Sequence, residues 1–378
     1  MACKILVIAN QNKPVDYHRL IVPYRNLHNV DNISVDFLDI LAPSITVLNE
    51  PIETFLKSYD WVIFSRMINP FLELFDDTVE IIRKAGCRII VDLDDYWVLD
   101  KNHVIYERYK ANNYQQITEK SIQQADVVTT STKFLSNIVK TRFPLKETHV
   151  LRVCIDTKEP QFNFEPTESD VLRFGYVGSI THQHDINLLS YSIDKLWRDN
   201  KLKFKIFLCG YSVYDGQREG QPYPNMEKVL TNNYYGLTEP MSLEESYVFP
   251  KDYPYQRVPY QYDVNRYAYM YSNFDVSIAP LENTLFNRCK SELKMIEAGV
   301  LKKAIIVSNI HPFTIFANNK NSILINDNKR GWYDAMSKLI KNPNLKSDLA
   351  EQLSLDVKEF YNLDDVNKTR KQILTEVA

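Results

Sequence analysis

The stretch "VSIAPLENTLFNRCKSELKMIEAGVLKKAIIVSN" (276–309) runs from one apolar segment to another through a charged, amphipathic one. "VSIAPL" (276–281) and "AIIVSN" (304–309) read as strands buried on both faces. Between them the spacing predicts a helix over 290–301, with Leu293, Ile296 and Val300 on one face and Lys290, Lys294 and Glu297 on another. Strand, helix and strand in that order make a βαβ unit and imply a parallel sheet. The charged face has two readings. It is either a solvated surface with an i,i+3 pair or an anion site at a helix N-terminus. In the second, Arg288, Lys290, Lys294 and the N–H groups of the first turn hold a diphosphate, and Glu297 accepts from ribose hydroxyls.

The same alternation runs through the chain. Strands are expected at 4–9, 33–39, 61–66, 87–95, 127–131 and 148–153, with helices at 16–29, 51–59, 72–86, 115–125 and 132–142. Residues 157–170, polar and without period, read as a linker. Strands at 172–179, 203–210, 276–281, 304–309 and 322–327 follow, with helices at 184–200, 264–274, 290–301 and 331–341. The fold class is therefore α/β with two Rossmann-like domains. Their expected bounds are 1–156 and 171–343, with polar helices over 344–378. Residues 211–262 break the rhythm and are crowded with tyrosine: Tyr234, Tyr235, Tyr247, Tyr253, Tyr255, Tyr260 and Tyr262. Such a loop is either a functional surface suited to sugars or bases, or an excursion that buries its own rings.

Composition excludes several classes. With 378 residues, 44% hydrophobic and 25% charged, the chain can bury two or three ordinary cores. A net charge of −3 argues against a broad nucleic-acid surface but not against a local basic cleft. Cys3, Cys87, Cys154, Cys209 and Cys289 are odd in number and far apart, so they read as reduced thiols of a cytoplasmic protein. No signal-peptide layout is present, and no apolar run reaches the roughly 18 residues of a membrane span.

Three further junctions carry candidate chemistry. In "GYVGSITHQHD" (175–185), Gly178 and Ser179 end a strand where backbone N–H groups suit phosphate. His182, His184 and Asp185 follow, and Asp185 reads as the cap of the helix 186–200 rather than a metal ligand. In "NQNKPVDYHRLIVPYRNL" (10–27), Arg19 at a helix start either reaches a phosphate or acceptor or is a surface arginine. In "IVDLDDYW" (90–97), Asp92 and Asp94 share a strand face and Asp95 opens a loop. Three carboxylates so close are costly without function or nearby cations.

Residues 274–313 resemble the donor-site region of GT-B glycosyltransferases of the retaining family 4, in which a strand ending in "APL" leads into a helix whose Glu binds the donor ribose. Glu297 matches that Glu, while Cys289 stands where many members carry an earlier Glu. A subgroup with "N-R-x-K-S-x-L-K-x-x-E" looks closer and matches Asn287, Arg288, Lys290, Ser291, Lys294 and Glu297. "RFGYVGSITHQHDINLL" (173–189) is similar to the start of the family's donor domain, though the family's Arg and Lys after that strand are missing. Tyr17, Arg19 and Pro23 match the loop after the first strand of such enzymes. The resemblance implies a glycosyltransferase moving a sugar from a nucleoside diphosphate sugar to an acceptor hydroxyl, with retention and without a metal or other cofactor. It implies donor contacts from Gly178, Ser179, His182 and the 287–297 cluster, and an acceptor hydroxyl oriented by Asp94, Asp95, His103 or Arg19. It also implies that the C-terminal helices return to the first domain. The acceptor stays open among glycan, lipid-linked sugar, protein and modified nucleobase. Two alternatives stand beside this reading: a nucleotide-sugar-modifying enzyme such as a 2-epimerase, and a two-domain ligand-binding protein without catalysis.

Overall fold

The computed structural model describes residues 3–10, 13–47, 50–199, 202–211, 222–231, 254–261, 263–326 and 329–376. The chain divides into two units. The first comprises Met1–Asp156, Arg288–Ser291 and Tyr361–Ala378, and the second Thr157–Asn287 and Glu292–Phe360.

In the first unit, β1 (Cys3–Ile8), β2 (Ile33–Leu38), β5 (Trp61–Ser65), β6 (Arg88–Leu93), β7 (Val127–Thr130) and β8 (Glu147–Val150) form a parallel sheet in the order β2-β1-β5-β6-β7-β8. A small antiparallel ribbon, β3 (Thr46–Val47) with β4 (Glu50–Pro51), stands apart from it. The sheet is covered because its strands are apolar on both faces: Ile5, Leu6, Val7, Val62, Ile63 and Val91 have no exposed surface. The helix Phe75–Lys84 shows how the cover forms. Phe75, Val79 and Ile82 face the core at helical spacing, Asp76 and Asp77 open the first turn, and Arg83 and Lys84 close the last.

The helix expected over 16–29 is broken into a turn at Pro14–Asp16, a π-helical turn at Tyr17–Ile21 and a helix at Val22–Arg25. Pro23 has no N–H to bond Arg19 C=O, and Val22 N–H reaches back five residues to Tyr17 C=O instead. The helix Leu363–Glu376 packs within this unit, with Asn367 donating to Pro23 C=O (3.1 Å) and Trp61 Nε1 donating to Leu374 C=O (3.3 Å).

In the second unit, β9 (Leu172–Val177), β10 (Phe204–Tyr211), β11 (Tyr255–Pro259), β12 (Val276–Ala279), β13 (Ala304–Ser308) and β14 (Ile323–Ile325) form a parallel sheet in the order β11-β10-β9-β12-β13-β14. This is the doubly wound order, and it reverses between β9 and β12. Its core gathers Phe174, Ile206, Leu208, Ile278, Ile306 and Trp332. At Gly175 a Cβ would lie 2.0 Å from the Phe274 ring, so this position on β9 has no room for a side chain.

Three expectations are corrected here. The helix read over 264–274 is a 3₁₀ helix, Val264–Asn273. The helix read over 290–301 is shorter, Leu293–Val300, and a separate turn of helix, Leu285–Arg288, precedes it. Within residues 211–262, read as a break in the alternation, Pro222–Thr231 is helical and β11 is an edge strand, whose Tyr255 is buried and donates to Glu227 (2.8 Å). Tyr234, Tyr235, Tyr247, Tyr253 and Tyr262 lie outside the described residues. Among the described residues no helix is long and apolar enough to cross a membrane.

Candidate active site

Open parallel sheets bind ligands outside the carboxyl ends of their strands, at the point where strand order reverses. In the second unit that point lies between β9 and β12, and two side-chain clusters stand beside it.

The first centres on Glu297, in the helix Leu293–Val300. It is 2% exposed, and its Oε2 accepts from Tyr271 Oη (2.5 Å), Lys294 Nζ (2.9 Å) and Tyr267 Oη (3.5 Å). Its Oε1 is equally buried and has no hydrogen-bond partner among the described residues. Burial, with the Glu297 charge next, holds both tyrosines protonated, far above the ordinary phenol range. Tyr271 packs with Val177 and Cys209, the ends of β9 and β10, which ties Glu297 to the reversal point.

The second cluster centres on Asp185, which is 4% exposed. Its Oδ1 accepts from Glu282 N–H (2.7 Å) and Asn287 Nδ2 (2.8 Å), and its Oδ2 lies 2.7 Å from His182 Nδ1. Asp185 is therefore a buried brace between the β9 and β12 loops, not the helix cap expected. A carboxylate at Nδ1 sets the proton of the neutral ring there and leaves Nε2 as the basic nitrogen. Gly178 and Ser179 precede this cluster. A Cβ at Gly178 would lie 2.4 Å from Tyr176 Oη, and Ser179 Oγ is 2.6 Å from Thr181 Oγ1. Asn287, expected at the donor, is committed to Asp185 and to Glu282 C=O (3.0 Å).

The single charged face of Lys290, Lys294 and Glu297 does not form, because the helix begins only at Leu293. Lys294 stays beside Glu297, whereas Lys290 belongs with the first unit and lies 3.5 Å from Asp95. Cys289, immediately before Lys290, is fully buried in that unit's core. Arg288 is exposed and Ser291 half-buried.

In the first unit, strand order reverses between β1 and β5, and a cleft of about 660 Å³ opens there. Asn10, Lys13, Asp16, Asp39, Ser65, Arg66 and Asn69 supply its polar lining. Arg66, which the sequence reading missed, sits at φ 55°, a conformation that costs most side chains energy and recurs at functional sites. Its guanidinium bonds Asp94 Oδ1 (2.6 Å) and Asp95 Oδ2 (3.4 Å). Burial pushes the Asp94 carboxyl above the ordinary range, against the pull of Arg66. Burial does the same to Asp16, which also lines the cleft. His103 lies in the turn beyond, its Nδ1 accepting from Ile105 N–H (3.3 Å).

Arg19 is neither at the surface nor in reach of a phosphate. It is 2% exposed, bonded to Asp92 through Nη2 (2.5 Å) and Nε (2.9 Å), and it donates to Leu151 C=O. Asp92 also accepts from Thr129 Oγ1 (2.5 Å). The three carboxylates of "DLDD" thus meet three cations: Arg19 at Asp92, Arg66 at Asp94 and Asp95, and Lys290 at Asp95.

No protein-family model matches the sequence, and no curated protein does. Solved structures do match in fold. HepE of Anabaena, solved in complex with UDP-glucose, is 11% identical, with a TM-score of 0.64 and 99% of each chain covered. Sucrose-phosphate synthase of Thermosynechococcus elongatus is 12% identical, with a TM-score of 0.65 and 99% of each chain covered. The chain has the GT-B fold. A glycosyltransferase of Rickettsia africae is 13% identical, with a TM-score of 0.63 over 100% of this chain and 98% of the other. The GT-B resemblance drawn from residues 274–313 is thereby borne out for the fold.

Proposed function

We propose that the protein is a glycosyltransferase that moves a sugar from a nucleoside diphosphate sugar to an acceptor hydroxyl. One observation carries the reading. Glu297 is a carboxylate with one oxygen saturated by Tyr271, Lys294 and Tyr267, and the other buried without a partner among the described residues. A buried acceptor left unmatched costs free energy, and a ribose hydroxyl supplies the missing donor. The GT-B fold, and the UDP-glucose bound to HepE, support the same substrate class.

In this reading Lys294 and the N–H groups at the start of the helix Leu293–Val300 face the diphosphate as charge builds on it. His182, oriented by Asp185, brings its ring to the loop after β9, with Nε2 as an acceptor for a sugar hydroxyl. Asp94 and Asp95, braced by Arg66, are the carboxylates for the acceptor hydroxyl, and Asp94's raised affinity for protons suits a group that takes one. Departure and attack on one face of the sugar retain the anomeric configuration.

Thermal unfolding with UDP, GDP, ADP and CDP tests the donor side. A nucleotide at about 100 times its Kd stabilises by about 2.7 kcal/mol. Glu297→Ala is expected to weaken that binding by about ten- to hundredfold, the worth of a charge-assisted hydrogen bond. It should also abolish slow donor hydrolysis, which separates an enzyme from a binder. The absence of stabilisation by all four nucleotides would remove the reading.

A further inference from the structure

A cleft of about 1050 Å³ in the second unit lies over the carboxyl ends of β12, β13 and β14. None of its lining residues belongs to the Glu297 cluster, and Glu282 alone also belongs to the Asp185 cluster, through its backbone. Asn187, Tyr191, Asp194 and Arg198 enter from the helical turns after β9, and Glu282 and Asn283 from the loop after β12. Asn309 and Asn326, from the loops after β13 and β14, bond each other at 2.6 Å.

The chemistry of this lining narrows its ligand. Its charges balance, with Asp194 and Glu282 against Arg198 and Lys329, and Arg198 already pairs with Asp194 at 2.9 Å. A phosphate needs a positive surplus, which this lining lacks. A lipid chain needs continuous apolar walls, and four asparagines break them. Carboxamides both donate and accept, as a sugar hydroxyl does, so they match vicinal hydroxyls in pairs. Tyr191, 48% exposed at the cleft, offers a flat ring for the C–H face of a pyranose. The volume meets the upper end of ordinary small-molecule sites, about 300–1,000 Å³, which suits several sugar residues rather than one.

We propose that this cleft is a second carbohydrate-binding site, which holds a neutral oligosaccharide beside the Glu297 cluster and not on it. The binding claim stands independently of the donor reading. The second site would keep a glycan on the protein while its end is extended elsewhere.

The test uses the full chain on an array of neutral glycans of one to six residues, followed by calorimetric titration of the tightest binder. At least one glycan is expected to bind with Kd below ~1 mM. Tyr191→Ala and Asn309→Ala, changes at the cleft surface, are each expected to weaken it at least about tenfold, the loss of one contact. UDP affinity in both variants should stay within about twofold of the parent. Three results overturn the proposal: no neutral glycan binds, the binding glycan is indifferent to both variants, or both variants lose UDP affinity together with the glycan. Failure of the parent chain to bind UDP bears on the donor reading alone.

Discussion

Asp92 and Asp94 stand two residues apart at the end of β6, yet each has its own cation and its own surroundings. Asp92 is sealed with Arg19 and Thr129, whereas Asp94 lies where the cleft-lining Arg66 reaches it. Removing one partner of a sealed pair strands the other charge, which costs about 3–5 kcal/mol. Arg19→Ala is therefore expected to lower the denaturation free energy of the first unit by that order and to leave UDP affinity unchanged. A loss below about 1 kcal/mol, the worth of a surface pair, would show that Arg19 is not sealed as described. The carboxylates themselves were legible as a cluster, because three acids on one strand end demand cations. Which cations answer them was not, since Arg19 is 73 residues from Asp92 and Lys290 is 195 from Asp95. Tyr267 and Tyr271 left a weak trace, two rings four apart ahead of a strand, but nothing local aims them at Glu297.

At the scale of elements, the helix Leu293–Val300 presents Glu297 from one side and rests on the helix Pro343–Phe360 by the other. Gly299 permits that approach, for a Cβ there would lie 2.5 Å from Val357 Cγ2 and 3.0 Å from Leu353 C=O. A backbone carbonyl cannot rotate aside, so Gly299→Ala must push the helices apart. Overpacking of this kind costs about 1–3 kcal/mol. We expect a loss of that size in denaturant unfolding together with weaker UDP binding, because Glu297 moves with the helix. Unchanged stability would mean that the two helices separate at no cost. The strands were readable because burial on both faces leaves uninterrupted apolar runs. Helix starts were less so. Periodicity continues through Lys290 and Ser291, but the chain there leaves helical geometry to bury Cys289 in the first unit's core.

At the scale of the whole molecule, stability should carry a pH signature from Lys303. This lysine is 5% exposed, donates to Phe274 C=O (2.8 Å) and has its pKa pushed down to about 8, chiefly by burial. Its unfolded value is near 10.5, so between the two the unfolded chain binds more protons than the folded one. Stability of the second unit should rise as pH climbs through that window, by up to about 3 kcal/mol. Lys303→Met lacks the rise, so the difference between parent and variant across a pH series isolates it. Parallel curves for the two would refute the assignment. By itself the sequence determined the alternation of strand and helix, the two parallel sheets and the place of Glu297 after a sheet strand. Each of these is written in residue spacing along the chain, where burial imposes a period. Only the tertiary structure decided the strand orders and therefore the reversal points. It alone assigned Lys290 to Asp95, Arg19 to Asp92 and Asp185 to His182 and Asn287. Apart from His182 and Asp185, which are three residues apart, those pairs join residues distant in the chain that the sheets bring together, and a local pattern carries no record of which will meet.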